Sequence, residues 1–134
     1  MLDERMTLLG QSAEDLPASS ALFQDATLRV EDIAVDRRGR RLVLLVNRYL
    51  WESSIPSRAR AALRIETVAG VQRQNWPTAP DTVLNLLSLT QDGDWLVLTL
   101  AAGTSLRAHA EVIEVVLEDI ASPWETSRVP QHPA

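Results

Sequence analysis

The chain has 134 residues, no cysteine, and 13 basic against 18 acidic residues, which gives a formal net charge of −5. This length suits one domain with its own hydrophobic core, and the lack of cysteine excludes disulfides and thiolate metal ligands, as is typical of a reducing compartment. The negative charge disfavours binding to nucleic acid or to an anionic membrane, and no secretion signal or run of about 20 apolar residues is present, so we expect a single cytoplasmic domain, residues 1–134.

The N-terminal segment predicts a short leading strand or arm, followed by one helix. The first ten residues contain few apolar side chains that could attach them to a core. In residues 12–25, Ser12 or Asp15 can cap a helix, and Pro17 suits the first helical turn. We expect one short helix here that packs Leu22 and Phe23 over the open end or one face of the β-structure, as a lone helix in a mainly β domain usually does.

Two parts of the chain, about residues 26–70 and 82–120, contain the same elements in the same order. Each has a strand, a tight turn, a second strand and a third strand. A three-stranded meander cannot bury its apolar face alone, so each copy supplies the other half of a core. The sequence therefore predicts a mainly β fold (β-rich α+β), with two pseudo-repeated three-stranded antiparallel meanders that form a small barrel or sandwich, plus one short N-terminal helix.

The strand assignments rest on the spacing of apolar side chains. The second strand of each copy is a continuous apolar run, residues 42–46 and 96–100, which is typical of a central strand covered on both faces. Two other strands move their apolar side chains to the opposite face midway, at Glu31-Asp32 and between Val112 and Ile113. Such a change predicts a bulge, or a corner at which the chain switches sheets.

The connections between the strands are polar or rich in proline. The tip of the first hairpin, residues 36–41, has four arginines around Gly39, whereas the matching turn, residues 91–94, is acidic. We interpret the arginines as a solvated turn in which glycine supplies a positive φ, and not as a nucleic-acid site. Prolines predict a loop between the copies over residues 71–81 and an extended C-terminal tail over residues 121–134.

The sequence contains no recognisable catalytic or cofactor motif. It lacks a glycine-rich phosphate loop, a dinucleotide fingerprint, a zinc-protease helix and a nucleophile elbow. The two histidines, His109 and His132, are too few and too scattered for a typical imidazole-built metal centre. We interpret Glu111 and Glu114 as the solvated face of a strand. We therefore predict no catalytic residue, no metal and no cofactor, and an enzyme that uses carboxylates alone is the least favoured hypothesis.

Polar and aromatic residues follow the apolar strands at two places. Both clusters contain a Trp-Glu pair, although aromatic residues make up only 4% of the chain. Tryptophans at strand exits either plug the end of a barrel, which we favour, or form a recognition surface. The arginines of the clusters either pair with nearby glutamates or clamp an anionic ligand. The candidate binding residues are Asn47, Arg48, Trp51, Glu52, Trp124 and Arg128.

Five short segments, in order across nearly the whole chain, carry a resemblance to a known family. They are Glu14-Asp15-Leu16, Gln24-Asp25-Ala26, Asn47-Arg48-Tyr49 with Trp51-Glu52, Pro123-Trp124 and residues 128–133. In these segments the chain resembles the alphaproteobacterial family known as domain of unknown function 2948. The resemblance implies a stand-alone bacterial cytosolic protein, and it brings no catalytic residues.

Two binding functions follow from these observations. The favoured one is a non-catalytic interaction or scaffold module that binds an unknown protein partner or self-associates, because the edges of its apolar strands need covering. The alternative is a β-barrel that binds a small molecule such as an anion, with Arg48, Trp51, Trp124 and Arg128 near its mouth. The first requires a flat surface and the second an open cavity.

Overall fold

A computed structural model of the protein describes residues 7–51, 53–121, 124–126 and 130. In these residues the chain forms eleven strands and one α-helix, which confirms the predicted mainly β fold with one short helix. The first elements are β1 (Thr7–Gly10), α1 (Leu16–Phe23), β2 (Ala26–Arg29), β3 (Ile33–Asp36), β4 (Arg41–Tyr49) and β5 (Ser57–Ile65). The others are β6 (Val68–Gln74), β7 (Val83–Asp92), β8 (Trp95–Leu100), β9 (Ser105–Ala110), β10 (Val115–Asp119) and β11 (Trp124–Glu125).

The strands form one antiparallel sheet that does not close on itself. Their order is β1-β10-β5-β4-β2-β7-β8-β9-β6, with β3 added to β4 and β11 added to β5. The order has an internal symmetry, β1 excepted. If β2 is exchanged with β7, β4 with β8, β5 with β9 and β6 with β10, the same order results, read from the other end. The strand after each meander crosses to the other half, because β6 pairs with β9 and β10 pairs with β5. A small sandwich or open barrel fits this arrangement, and the internal repeat stays a prediction.

Both predicted changes of face are corners in the structure. A 3₁₀ turn at Val30–Asp32 separates β2, which pairs with β4 and β7, from β3, which pairs with β4. Residues 111–114 separate β9, which pairs with β6 and β8, from β10, which pairs with β1 and β5. Each corner therefore directs the apolar side chains on its two sides toward different neighbours, as a change of phase requires.

The core lies along one face of the central strands. On β4, Leu42, Leu44 and Val46 are completely buried, whereas Val43 and Leu45 on the opposite face are only half-buried. The buried and partly exposed side chains of β8 alternate in the same way. The prediction that both strands are covered on two faces is therefore wrong. The outer faces of β4 and β8 stay partly exposed because α1, the one α-helix in the described part of the chain, packs mainly against β7.

Two proline-rich segments contain more strand than the sequence predicted. Within residues 71–81, the strand β6 continues to Gln74 and pairs with β9. Pro77 and Pro80 follow that strand, so they exclude strand structure only locally. In the tail, residues 121–134, the short strand β11 pairs with β5, and much of the remainder lies outside the described residues.

The β3–β4 turn forms at the predicted place but with a different backbone. Arg40 has the positive φ, at 55°, and Gly39 does not. Glycine at position 39 has another role, because its N–H donates to Asp36 Oδ1 at 2.9 Å and a Cβ there would lie 2.5 Å from Asp36 Oδ2. A side chain would therefore displace the carboxylate that closes the turn. In the matching turn Gly93 does carry a positive φ, of 59°.

The helix α1 covers one edge of the sheet. Ser20 Oγ donates to the carbonyl oxygen of Leu89 and accepts from the Leu89 N–H, both at 3.0 Å. One hydroxyl thus occupies the place of a neighbouring strand along the second half of β7. Phe23 at the end of the helix is completely buried in the core. The predicted helix and its apolar contact are confirmed.

We expect Ser20→Ala to lower the free energy of unfolding by about 1–3 kcal/mol, because the N–H and carbonyl of Leu89 both lose their partner. Urea unfolding followed by circular dichroism measures this change. The control is Ser54→Ala, in an exposed loop, which should change the free energy by less than about 0.5 kcal/mol. Equal effects of the two substitutions would contradict the role given to Ser20.

Candidate functional site

The candidate residues of the two sequence clusters meet at one end of the sheet. The C-terminal end of β4, the N-terminal end of β5 and the C-terminal end of β10 lie together there, because these neighbouring strands are antiparallel. In the register, Trp124 of β11 lies opposite Arg58 of β5, which lies opposite Tyr49 of β4. Trp51 follows β4 directly. Glu52 and Arg128 lie outside the described residues.

Arg48 is part of the core. Its side chain is on the buried face of β4 and is 0% exposed. It forms a bidentate ion pair with Asp119 of β10, in which Nε donates to Oδ1 at 2.7 Å and Nη2 donates to Oδ2 at 2.8 Å. Nη1 also donates to the carbonyl oxygen of Leu22 at 3.4 Å. The expectation that Arg48 lies at a barrel mouth, open to an anion, is therefore wrong. Its predicted pairing with Glu52 falls outside the described residues and stays a prediction.

Small side chains on β5 make this ion pair possible. Arg48 is aligned with Ala59, and Ala61 is aligned with both Val46 and Asp119. Neighbouring strands are about 4.8 Å apart, so a long arginine can cross over the two alanines and reach the second strand away. A buried, bidentate pair of this kind holds β4, β10 and the end of α1 in one arrangement. Its role in the site is thus to position the residues around it.

The outer face of the same strands carries an aromatic contact. The rings of Tyr49 and Trp51 meet edge to face, with 4.6 Å between their centroids and 66° between their planes. The indole Nε1 of Trp51 donates to the carbonyl oxygen of Gln24 at 3.1 Å. This bond fixes the orientation of the Trp51 ring while leaving part of its surface exposed.

Arg58 lies between Trp124 and Tyr49 in the register of the strands. Its guanidinium is 5.8 Å from the centroid of the Tyr49 ring and donates to the carbonyl oxygen of Asn47 at 3.0 Å. Burial lowers the pKa of Arg58, whereas the charges of Asp25 and Tyr49 act in the opposite direction. The site therefore offers a positive charge next to aromatic rings, a combination that favours aromatic or carboxylate groups of a partner.

Four large apolar side chains are exposed at this end of the sheet, and we call them the tryptophan patch. The exposed fraction is 38% for Trp51, 53% for Ile55, 39% for Ile120 and 44% for Trp124. Ile55 lies in the β4–β5 loop, and Ile120 follows β10. The favoured interpretation, that the tryptophans plug a barrel end, is therefore wrong. Both rings remain accessible to solvent.

Asn47 borders the tryptophan patch. It lies on the outer face of β4, where its Oδ1 accepts from Arg60 Nη1 at 3.3 Å. Together with Thr27 and Asp32 it lines a shallow groove of about 300 Å³. Arg60 Nη2 is also 3.6 Å from Asp32 Oδ1, so the polar groups of this groove bind mainly one another.

Sequence reasoning missed Asp119, Arg58, Ile55 and Ile120. Asp119 ends a strand and reads as an ordinary exposed acid, and only the alanines at positions 59 and 61 indicate that an opposite strand has room for a long side chain. The two isoleucines stand alone in polar or turn-rich segments, which carry no periodic signal. Their proximity arises from strand pairing between distant parts of the chain.

The described residues contain one of the two histidines, His109. His109 on β9 has its Nε2 4.0 Å from Asp94 Oδ2, and its ring meets that of Trp95 edge to face at 5.1 Å. Across residues 7–51, 53–121 and the described part of the tail, no three His, Asp or Glu side chains are grouped so that they could hold a metal ion. The same residues include no helix with the length and apolar character needed to cross a membrane.

Comparison with known proteins identifies the family of this chain. No curated protein and no solved structure matches it. A family model described as "Protein of unknown function (DUF2948)" matches residues 6–132. This range contains the buried ion pair, the whole tryptophan patch and the short segments that carried the resemblance up to residue 132. The resemblance to domain of unknown function 2948 is confirmed, whereas the alphaproteobacterial origin stays a prediction. The chain therefore belongs to the DUF2948 family of proteins of unknown function.

Proposed function

We propose that this protein is a non-catalytic interaction module of the bacterial cytoplasm, and that it binds a protein partner through the tryptophan patch. The observation that carries the proposal is the grouping of two tryptophans and two isoleucines, all exposed, at one end of one sheet. Grouped exposed apolar side chains, unlike scattered ones, are typical of protein-binding surfaces. Tryptophan, tyrosine and arginine are also the residues most enriched at the energetic centres of such interfaces.

The residues that lie behind the tryptophan patch and hold it in place support the same function. The Arg48–Asp119 ion pair lies on the opposite face of β4 and β5, and the Trp51 indole is held by its bond to the Gln24 carbonyl. Side chains that are already ordered lose less conformational entropy when a partner binds. A surface fixed in this way is suited to stable association.

The small-molecule alternative has less support. Arg48, the side chain best placed in the sequence to bind an anion, is buried and paired with Asp119. The interior between the strands is occupied by leucines, among them Leu44, Leu63 and Leu98, each completely buried. A ligand-binding barrel needs an apolar cavity with a few polar groups directed into it.

We expect the combined substitution Ile120→Ser and Trp124→Ala to reduce recovery of the partner from a lysate of the source organism at least about tenfold, because interface tryptophans often contribute more than about 2 kcal/mol. Tagged variants and wild type are compared by quantitative mass spectrometry. The matched control is Val83→Ser with Val112→Ser, which removes two exposed apolar side chains, 63% and 56% exposed, outside the patch.

The melting temperatures of both double variants are measured alongside, so that loss of binding is separated from loss of fold. Sedimentation equilibrium over a range of concentrations tests whether the partner is a second copy of the chain. If the patch variant and the control recover the same proteins in the same amounts, and neither changes self-association, the tryptophan patch is not the binding surface and the proposal is wrong.

A further inference from the structure

A second surface lies away from the tryptophan patch, between β3 and β6. It is a groove of about 850 Å³, within the size range of protein binding sites. Its lining contains apolar side chains of both strands, Val35, Val68 and Val71, together with arginines. At one end, the start of β6 is bonded to the turn that follows β3, where the Val68 N–H donates to the carbonyl oxygen of Arg40 at 2.8 Å.

Both walls of the groove are strand edges. Within the described part of the chain, β3 pairs with β4 alone and β6 pairs with β9 alone. Each strand therefore has one side on which its N–H and carbonyl groups face no neighbouring strand. Such an edge is a template for one more strand, and proteins usually cover it.

This chain does cover the comparable edge in the other half of the sheet. There, Ser20 of α1 satisfies both backbone groups of Leu89 on β7. In the exchange of strands described above, β7 corresponds to β2. The chain continues from β2 through the 3₁₀ turn into β3. The β3 edge thus corresponds to an edge that is covered, and among the described residues no helix lies on it.

The charge of the groove indicates what kind of segment fits it. Four arginines and one aspartate line it, namely Arg37, Arg40, Arg41, Arg73 and Asp36, in a protein whose net charge is −5. Arg40 pairs with Glu111 and Arg41 with Glu66, whereas Arg37 and Arg73 form no ion pair with a described residue. Guanidinium groups bind carboxylates in a planar, two-pronged geometry.

We propose that this groove binds an extended, acidic peptide segment of a partner protein, which adds as a strand between β3 and β6. The free edges supply backbone hydrogen bonds, and the arginines select the charge. Side chains of a strand alternate between its faces, so acidic residues at every second position can meet the arginines while apolar residues face the valines. This site is separate from the tryptophan patch and does not depend on the function proposed for it.

The test uses labelled, end-blocked seven-residue peptides and fluorescence anisotropy with the full chain at low salt. A peptide of alternating glutamate and valine should bind, and one of alternating lysine and valine should not. A third peptide keeps the glutamates and replaces the valines with prolines, which removes backbone N–H groups without changing the charge. It should bind at least about tenfold more weakly if the segment pairs as a strand.

Two variants with the same change of charge separate the groove from the general field of the protein. Arg37 lines the groove and Arg38 does not, although they are adjacent in one exposed turn. Arg37→Glu should weaken binding of the acidic peptide about tenfold, whereas Arg38→Glu should change it by no more than about twofold. If Arg37→Glu fails to fold, judged by its melting temperature, Arg37→Gln replaces it with the same expected direction.

Several results would overturn the proposal. The acidic peptide does not bind the wild type, or Arg37→Glu and Arg38→Glu weaken its binding equally, or the proline peptide binds as tightly as the valine peptide. A single-stranded oligonucleotide is tested as well, and if it binds more tightly than the acidic peptide in a manner lost in Arg37→Glu, the groove is a nucleic-acid site and the proposal is wrong. The Ile120→Ser, Trp124→Ala variant should bind the acidic peptide as the wild type does.

Discussion

Arg48→Ala is expected to lower the free energy of unfolding by about 3–5 kcal/mol, because it leaves the carboxylate of Asp119 buried without its guanidinium. Asp119 is 2% exposed, and the two N–H groups that it would lose lie 2.7 and 2.8 Å from its oxygens. Urea unfolding, followed by tryptophan fluorescence and circular dichroism, measures the change.

A matched control separates the buried pair from an ordinary arginine contact. Arg60, in the first half of β5, lies 3.6 Å from Asp32 and is partly exposed. Arg60→Ala should therefore cost no more than about 1 kcal/mol. Combining Arg48→Met with Asp119→Leu should cost less than the sum of the two single substitutions, because removing both charges leaves neither one unpaired. An Arg48→Ala effect no larger than that of Arg60→Ala would contradict the role given to the pair.

Phe23→Ala is expected to lower the free energy of unfolding by about 3–5 kcal/mol, the range for deleting a fully buried aromatic side chain. Phe23 is 0% exposed and attaches the end of α1 to the core. Loss of this contact should also loosen the helix on β7, so we expect faster hydrogen exchange at the Leu89 amide, which donates to Ser20. Thermal and urea unfolding give the first quantity, and hydrogen exchange gives the second.

Leu22→Ala is the control for this prediction. Leu22 adjoins Phe23 on the same helix but is only partly buried against the core. Its substitution should therefore cost less, by about 1 kcal/mol or more, because less apolar surface is removed from the interior. If Leu22→Ala and Phe23→Ala have equal effects, or if exchange at the Leu89 amide is unchanged in Phe23→Ala, the helix is held by other contacts.

Local patterns were sufficient for much of the fold. In residues 61–66, Ala61, Leu63 and Ile65 alternate with Ala62, Arg64 and Glu66, a spacing that is typical of a strand with one buried face, and β5 has that burial. The change of apolar phase at Glu31-Asp32 predicts a corner, and a 3₁₀ turn lies there. These predictions succeed because side-chain period and backbone conformation are linked within a few residues.

The same patterns could not reveal how much of each strand is covered. A continuous run such as residues 42–46 fits a strand buried on both faces, but it fits equally a strand with one dry face and one half-covered face. The distinction depends on whether another layer lies over the sheet. The only α-helix in the described part of the chain packs mainly against β7, and Val43 and Leu45 on the outer face of β4 are only half-buried.

The sequence alone determined that the chain is mainly β with one short helix, and where the corners of its strands lie. It also determined which segments contain tryptophan and which are basic. Only the tertiary structure decided that Arg48 reaches Asp119, 71 positions away, and that Trp51 and Trp124 lie at one end of the same sheet. The physical reason is that antiparallel pairing brings together strands that are far apart in the chain, and no local period encodes which strands become neighbours. The choice between a buried ion pair and an exposed binding arginine follows from that pairing.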